Sequence, residues 1–160
     1  MPIPALDVST GYLPVGTHAA TMEEVKERYA KGPKRKKIFR GLEIVVDRLV
    51  TCGVVEVWVD GSFVTSKIRP SDVDIIIEKR SPGVDMAMMN SYRLLDRPYI
   101  KLSKMVDLLV MPGNERDKHG RYITIKEFFE TDREDKPKGI LQLLLDKPTA
   151  DIEGSDNAQE

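Results

Sequence analysis

Three aspartates in short apolar runs are the residues of this chain whose type and spacing best fit a chemical role. Asp72 and Asp74 flank Val73 at the start of a β-branched run, and Asp107 lies inside a second apolar run, 104–112. Because alternate side chains of a strand share a face, Asp72 and Asp74 are predicted to point the same way. Neighbouring carboxylates repel each other unless a cation or a shared proton separates them, and their hard oxygen atoms suit Mg²⁺.

Asp107 adds to this prediction because a lone charge inside a buried strand costs several kcal/mol unless it is paired or bound to an ion. If its strand lies beside the strand of Asp74, the three acids face one another and form one metal site. The alternative is a surface turn with two solvated acids, together with an unrelated Asp107 in an ion pair.

A Gly-Ser pair precedes these acids, with nine residues between Ser62 and Asp72. Gly61 lets the backbone approach a phosphate closely, while Ser62 and the local N–H groups can donate hydrogen bonds to it. A plain tight turn is the alternative. Three further side chains of the same loop could hold triphosphate charge, although a solvated loop is nearly as well supported: Thr65, Lys67 and Arg69.

This pattern of Gly61-Ser62, a nine-residue gap, Asp72-Val73-Asp74 and a later Asp107 resembles the signature of the nucleotidyltransferase superfamily in its minimal form. Other segments resemble a bacterial and phage group with that fold, and the resemblance spans roughly residues 11 to 145. These segments are Leu13-Pro14 with Gly16 and His18, Arg35 with Gly41-Leu42, Asp60 to Thr65 with Lys67 and Pro70, and Arg133 with Lys138-Gly139.

The resemblance implies an enzyme that transfers a nucleoside monophosphate from an NTP to an acceptor hydroxyl. It implies two Mg²⁺ ions, for which Mn²⁺ can substitute, with Asp72 and Asp74 bridging both ions and Asp107 binding the ion that activates the acceptor. The acceptor stays open between a protein, an RNA end and a small molecule. The partner also stays open. It could be a toxin-like protein, as in toxin–antitoxin pairs, or RNA, or a second copy of the chain in an oligomer that completes the site.

The alternative function is a non-catalytic, antitoxin-like module that binds a nucleotide, a nucleic acid or a partner on the same scaffold. The basic segment 34–37 with Arg40 could contact nucleic acid, although a solvated helix face is slightly favoured. Arg35 draws attention there through the resemblance alone. Lys138 could bind phosphate, but a surface lysine is the favoured interpretation.

Hydrophobic spacing predicts one α/β (α+β) domain of the nucleotidyltransferase type over residues 1–147, with a mixed sheet of about four strands and helices mainly on one face. Residues 1–20 are predicted to form an extended arm, and 148–160 a disordered acidic tail. The predicted strands are 54–59, 73–77, 105–111 and 140–145. The predicted helices are 21–30, opened by a Thr21–Glu24 capping box, 34–51, 85–95, which Arg97-Pro98 ends, and 124–130.

Composition sets limits on the class of protein. The chain has 160 residues, a net charge of −1, 41% hydrophobic and 32% charged residues, and a single cysteine. No apolar run approaches the roughly 20 residues of a membrane span, and a signal peptide is not apparent. A cytoplasmic protein that does not associate with membranes is therefore expected.

Overall fold

The structure, a computed structural model, describes residues 3–77, 81–91, 93–110, 119–123, 127, 130–131, 134 and 136–145. Its elements in chain order are β1 (Thr17–Thr21), α1 (Met22–Tyr29), α2 (Gly32–Thr51), β2 (Val57–Asp60), a 3₁₀ turn (Ser62–Val64), β3 (Val73–Ile77), α3 (Pro82–Met89), α4 (Arg97–Lys104), β4 (Val106–Val110) and β5 (Ile140–Leu144). The predicted helix 124–130 and acidic tail 148–160 lie largely or wholly outside the described residues.

One mixed sheet forms the centre of the domain, with the strand order β1-β5-β2-β3-β4. The pairs β1/β5 and β3/β4 are parallel, whereas β5/β2 and β2/β3 are antiparallel. The predicted fold class, α/β with a mixed sheet and helices, is confirmed. The described residues form five strands where about four were expected.

The helices pack mainly on one face of the sheet, as predicted. Side chains of β3 alternate, so that Val73, Ile75 and Ile77 join the main hydrophobic core together with the buried residues of α1 to α4. The opposite face carries a much smaller apolar cluster of Trp58, Ile76 and Ile140. Because side chains alternate between the two faces of a strand, polar residues on the same face as Ile76 point away from the helices.

The additional strand lies in the segment that was predicted to be an extended arm. Residues 17–21 pair in parallel with β5, and only Ala20 of this strand is fully buried. An edge strand with one buried side chain has no alternating apolar pattern, which explains why the sequence did not reveal it. Thr21 then caps α1 through the predicted capping box with Glu24.

The helix predicted over 85–95 is wrong in extent, because α3 spans Pro82–Met89 and the next helix begins only at Arg97. α3 ends at Met89, and α4 begins at Arg97 with the Asp96 side chain accepting a hydrogen bond from the Tyr99 N–H. Proline fits the first turn of a helix, where its missing N–H leaves no carbonyl unpaired. Pro98 therefore marks the start of α4 and not the end of the preceding helix.

None of the helices in the described part of the chain combines the length and the apolar character that crossing a membrane requires.

Candidate functional site

Three aspartates lie side by side on the adjacent strands β2, β3 and β4, on the face of the sheet away from the helices. Asp60 at the end of β2 is the register partner of Asp74 in β3, and Asp74 is the register partner of Asp107 in β4. Facing residues on paired strands lie about 5 Å apart. Asp72 precedes Asp74 by two residues and shares its face. We call Asp60, Asp72, Asp74 and Asp107 the acid row.

Gly61 brings the backbone against this row. Its φ of 85° and ψ of −173° belong to a region that is essentially restricted to glycine. A Cβ at this position would lie 2.8 Å from Oδ2 and 2.9 Å from Cγ of Asp74. Both the conformation and the close approach therefore require glycine at the point where the chain leaves β2 and enters the loop that carries Ser62.

The electrostatics of the row are those of crowded, desolvated carboxylates. Burial, followed by the negative charges of Asp72, Asp107 and Asp60, raises the pKa of Asp74 from 3.8 to about 7. No described lysine or arginine lies within salt-bridge distance of Asp74. A cation placed here would relieve both the repulsion and the desolvation.

Asp60 is the most deeply buried acid of the row, at 1% exposure. Burial raises its pKa to about 6, while the nearby ammonium of Lys138 acts in the opposite direction. The Lys138 Nζ lies 3.3 Å from Oδ2 of Asp60, and the lysine side chain is only 13% exposed. The interpretation of Lys138 as a surface lysine is therefore wrong: it is the partner of a buried carboxylate.

Two cations of α4 neutralise the other end of the row. Arg97 binds Asp107 through two hydrogen bonds, Nε to Oδ1 at 2.6 Å and Nη2 to Oδ2 at 3.1 Å. The Lys101 Nζ lies 3.5 Å from Asp72 and 3.8 Å from Asp107. One ammonium within 4 Å of both acids shows that Asp72 and Asp107 are neighbours, as the sequence predicted.

Whether this row fits Mg²⁺ depends on its donors and on their arrangement. Four carboxylates with hard oxygen atoms match the ligand preference of the ion. Over the described ranges, however, no three acidic, histidine or cysteine groups are placed to hold a metal ion together, and Arg97 and Lys101 bind two of the carboxylates. The residues fit the ion chemically, and binding it requires Asp72 and Asp107 to exchange these ammonium and guanidinium partners for the metal.

The loop between Gly61 and Asp72 is held from the helix side by Arg35, which is 8% exposed. Its guanidinium donates to the carbonyls of Phe63 at 2.6 Å and Thr65 at 3.0 Å, and also to that of Lys67. Arg35 therefore positions the loop and is not available to a nucleic acid, whereas its neighbours Lys34, Lys36, Lys37 and Arg40 are exposed.

The other predicted loop residues differ in their surroundings. The Thr65 hydroxyl donates to the Ser62 carbonyl at 2.7 Å and so stabilises the turn. Lys67 and Arg69 are exposed, and within the described residues neither forms an ion pair with the acid row. A phosphate contact from Thr65, Lys67 or Arg69 stays a prediction.

Sequence reasoning brought Asp72, Asp74 and Asp107 together but missed Asp60, Arg97 and Lys101, and it favoured a surface position for Lys138. Asp60 could have been found, because it continues the alternation of β2 and must share the face of Asp74 if the two strands pair. Arg97 and Lys101 gave no comparable signal, and neither did the pairing of Lys138 with Asp60, since these contacts depend on long-range packing.

The fold and the site thus define the class of protein: a mixed α/β domain with a row of carboxylates beside a glycine turn. The chain belongs to a family of unknown function, DUF6932, whose sequence model matches residues 4–144. No curated protein and no solved structure matches the chain.

Proposed function

We propose that this protein is a Mg²⁺-dependent nucleotidyltransferase of the minimal type. The observation that carries the proposal is the in-register row of Asp60, Asp74 and Asp107 on three adjacent strands, with Asp72 beside it and the Gly61-Ser62 turn at its edge. Burial, together with the negative charges of the neighbouring acids, holds the pKa of Asp74 near 7, and such carboxylates are a poor arrangement for stability. They become favourable when a divalent cation binds.

In the proposed reaction an acceptor hydroxyl oxygen forms a bond to the α-phosphorus of an NTP. The bond between that phosphorus and the oxygen of the β-phosphate breaks, and pyrophosphate leaves. The acceptor proton passes to Asp107 or to solvent. Gly61 and Ser62 bind phosphate oxygens through backbone N–H groups and the hydroxyl, which orients the α-phosphorus. Mg²⁺ held by Asp72, Asp74 and Asp107 would supply charge neutralisation.

A second candidate is a binding module without transfer activity. The ion pairs of Arg97 with Asp107 and of Lys101 with Asp72 and Asp107 favour it, because they already neutralise two acids that the enzyme would use for metal. Such a module would hold a nucleotide, a nucleic acid or a protein partner. For both candidate functions we propose a cytoplasmic location.

The test is incubation of the purified protein with each α-labelled NTP, Mg²⁺ or Mn²⁺ and a cell extract. Label in protein, RNA or a small molecule supports the transferase, provided that Asp74→Asn lowers it by roughly a hundredfold or more. Asp47→Asn, which makes the same change at an exposed position of α2, is the matched control and should keep full activity. Nucleotide binding by calorimetry without any transferred label would instead favour the binding module.

A further inference from the structure

A cleft on the helix side of the loop 62–69 has features of an anion site that are separate from the acid row. It has a volume of about 280 Å³. Leu6 and other small or apolar groups line it together with four cationic residues and one tyrosine: Arg28, Lys31, Arg35, Lys67 and Tyr29. No acidic side chain occurs among these lining residues. The acid row lies on the opposite face of the sheet, so the cleft cannot share its charges.

The innermost cation of the cleft has no carboxylate partner in the part of the chain that the structure describes. Arg35 is 8% exposed, and its guanidinium donates to the carbonyls of Tyr29, Phe63, Thr65 and Lys67. Carbonyl dipoles solvate the charge but do not neutralise it. Burial accordingly lowers the pKa of Arg35, which is the direction expected for a cation short of counter-charge.

Tyr29 provides a second, independent observation. It is 3% exposed, and its hydroxyl has no hydrogen-bond partner at normal distance among the described residues. Burial raises its pKa to about 12, and the neighbouring Arg28, which is near enough to act on the hydroxyl, lowers it. A buried polar group left unpaired costs about 1–3 kcal/mol. An oxyanion in the cleft is an acceptor of the kind that a phenol beside arginines can bind.

The surroundings of the cleft strengthen its positive character. Lys31 directly precedes α2, which begins at Gly32 without a side-chain cap and without an acid in its first turn. The partial positive charge of a helix start is therefore uncompensated there. Arg28 donates to the carbonyls of Ile3 and Pro4, and it also borders a separate groove with Glu24 and Glu27. These two acids lie outside the cleft.

We propose that this cleft binds a phosphate group, either free or as part of a small nucleotide, in contact with Arg28, Tyr29, Lys31 and Lys67. The compact volume and the convergence of cations from α1, the start of α2 and the loop 62–69 fit a single small oxyanion better than an extended polymer. The proposal does not depend on nucleotidyl transfer, because the cleft and the acid row lie on different faces of the sheet.

The test is isothermal titration calorimetry of the full chain with inorganic phosphate and, separately, with AMP, at constant ionic strength and in EDTA. EDTA removes any metal-dependent binding at the acid row. Saturable binding is expected for at least one of the two ligands, and Asp74→Asn should retain it. Tighter binding of AMP would identify a nucleotide as the source of the phosphate, and equal affinities would identify a free oxyanion.

Two variants and one control make the result specific. Lys31→Gln/Lys67→Gln changes exposed lysines of the cleft and should weaken binding at least about tenfold, and Tyr29→Phe should weaken it severalfold without loss of folding. Lys36→Gln/Lys37→Gln removes the same charge from exposed positions of α2 outside the cleft and should leave the affinity unchanged. Equal weakening in this control, or no saturation below about 10 mM phosphate, would overturn the proposal.

Discussion

At the scale of single residues, Asp74 is where burial and like charge act together. Its pKa of about 7 lies well above the value of 3.8 for an aspartate in an unfolded chain. Between these two pH values the folded protein holds a proton that the unfolded chain lacks. Stability is therefore expected to fall as the pH rises through this window, and the loss is complete above pH 7.

The variant Asp74→Asn removes this titration. We expect its free energy of unfolding at pH 8 to exceed that of the wild type by about 4 kcal/mol, since the pKa of Asp74 rises from 3.8 to about 7 on folding and one pKa unit corresponds to about 1.4 kcal/mol. At pH 4 the two proteins should be nearly equal. Urea unfolding at both pH values measures the difference. Asp47→Asn should follow the wild type throughout, and a destabilised Asp74→Asn at pH 8 would mean that the carboxylate is paired after all.

The same residue shows how far the sequence could lead. Alternation around Val73 and an acid inside an apolar run were sufficient to place Asp72, Asp74 and Asp107 on one face, because strand periodicity is local information. The partner of Asp60, Lys138, is 78 positions away in the chain. No local pattern encodes such a contact, and so the cations of the site could not be predicted.

At the scale of elements, Arg35 connects α2 to the loop 62–67, because its guanidinium donates hydrogen bonds to carbonyls of that loop. Apart from Arg35, two backbone hydrogen bonds help to hold the loop. The Thr65 N–H donates to the Ser62 carbonyl, and the Ser66 N–H donates to the Gly11 carbonyl at 3.0 Å. A planar guanidinium can serve several carbonyls at fixed angles, whereas an ammonium cannot reach all of them.

Arg35→Lys should therefore loosen the loop while leaving the helix intact. We expect amide hydrogen exchange at Thr65 and Ser66 to accelerate at least about tenfold, with little change inside α2. Arg40→Lys is the control, because Arg40 is an exposed residue of the same helix, paired with Glu43 at 3.6 Å. Unchanged exchange in Arg35→Lys would show that the loop is held by other contacts.

The element boundaries also show what sequence patterns can and cannot decide. The Thr21–Glu24 capping box was recognised because both partners are three residues apart and their chemistry is specific. Arg97-Pro98 was misread, since a proline is compatible with the end of one helix and with the first turn of the next. Asp96 immediately before it was the cap that distinguishes the two cases.

At the scale of the whole molecule, the segment before β1 belongs to the folded domain. Ile3 is 3% exposed and joins the main core, while Val8 in the same segment is fully exposed. Arg28 of α1 donates to the carbonyls of Ile3 and Pro4 and so fixes the segment to the helix. The segment thus closes one side of the cleft that Leu6 lines.

The effect of a substitution in this segment on the free energy of unfolding should therefore depend strongly on its position. Ile3→Ser should lower the free energy of unfolding by about 2 kcal/mol, the usual cost of losing a buried aliphatic side chain. Val8→Ser should stay within about 0.5 kcal/mol of the wild type. Thermal and urea unfolding measure both variants, and equal effects would mean that the segment does not pack as a unit against the domain.

The register of the acid row has a consequence for the order in which the chain folds. Asp60 and Asp74 belong to consecutive antiparallel strands joined by residues 61–72, so we expect them to meet without waiting for the rest of the sheet. Asp107 arrives only when β4 docks in parallel on β3, after α3 and α4 have crossed over the sheet. A nascent or partly unfolded chain would consequently lack part of the acid row, and the proposed metal site would be complete only after β4 has docked.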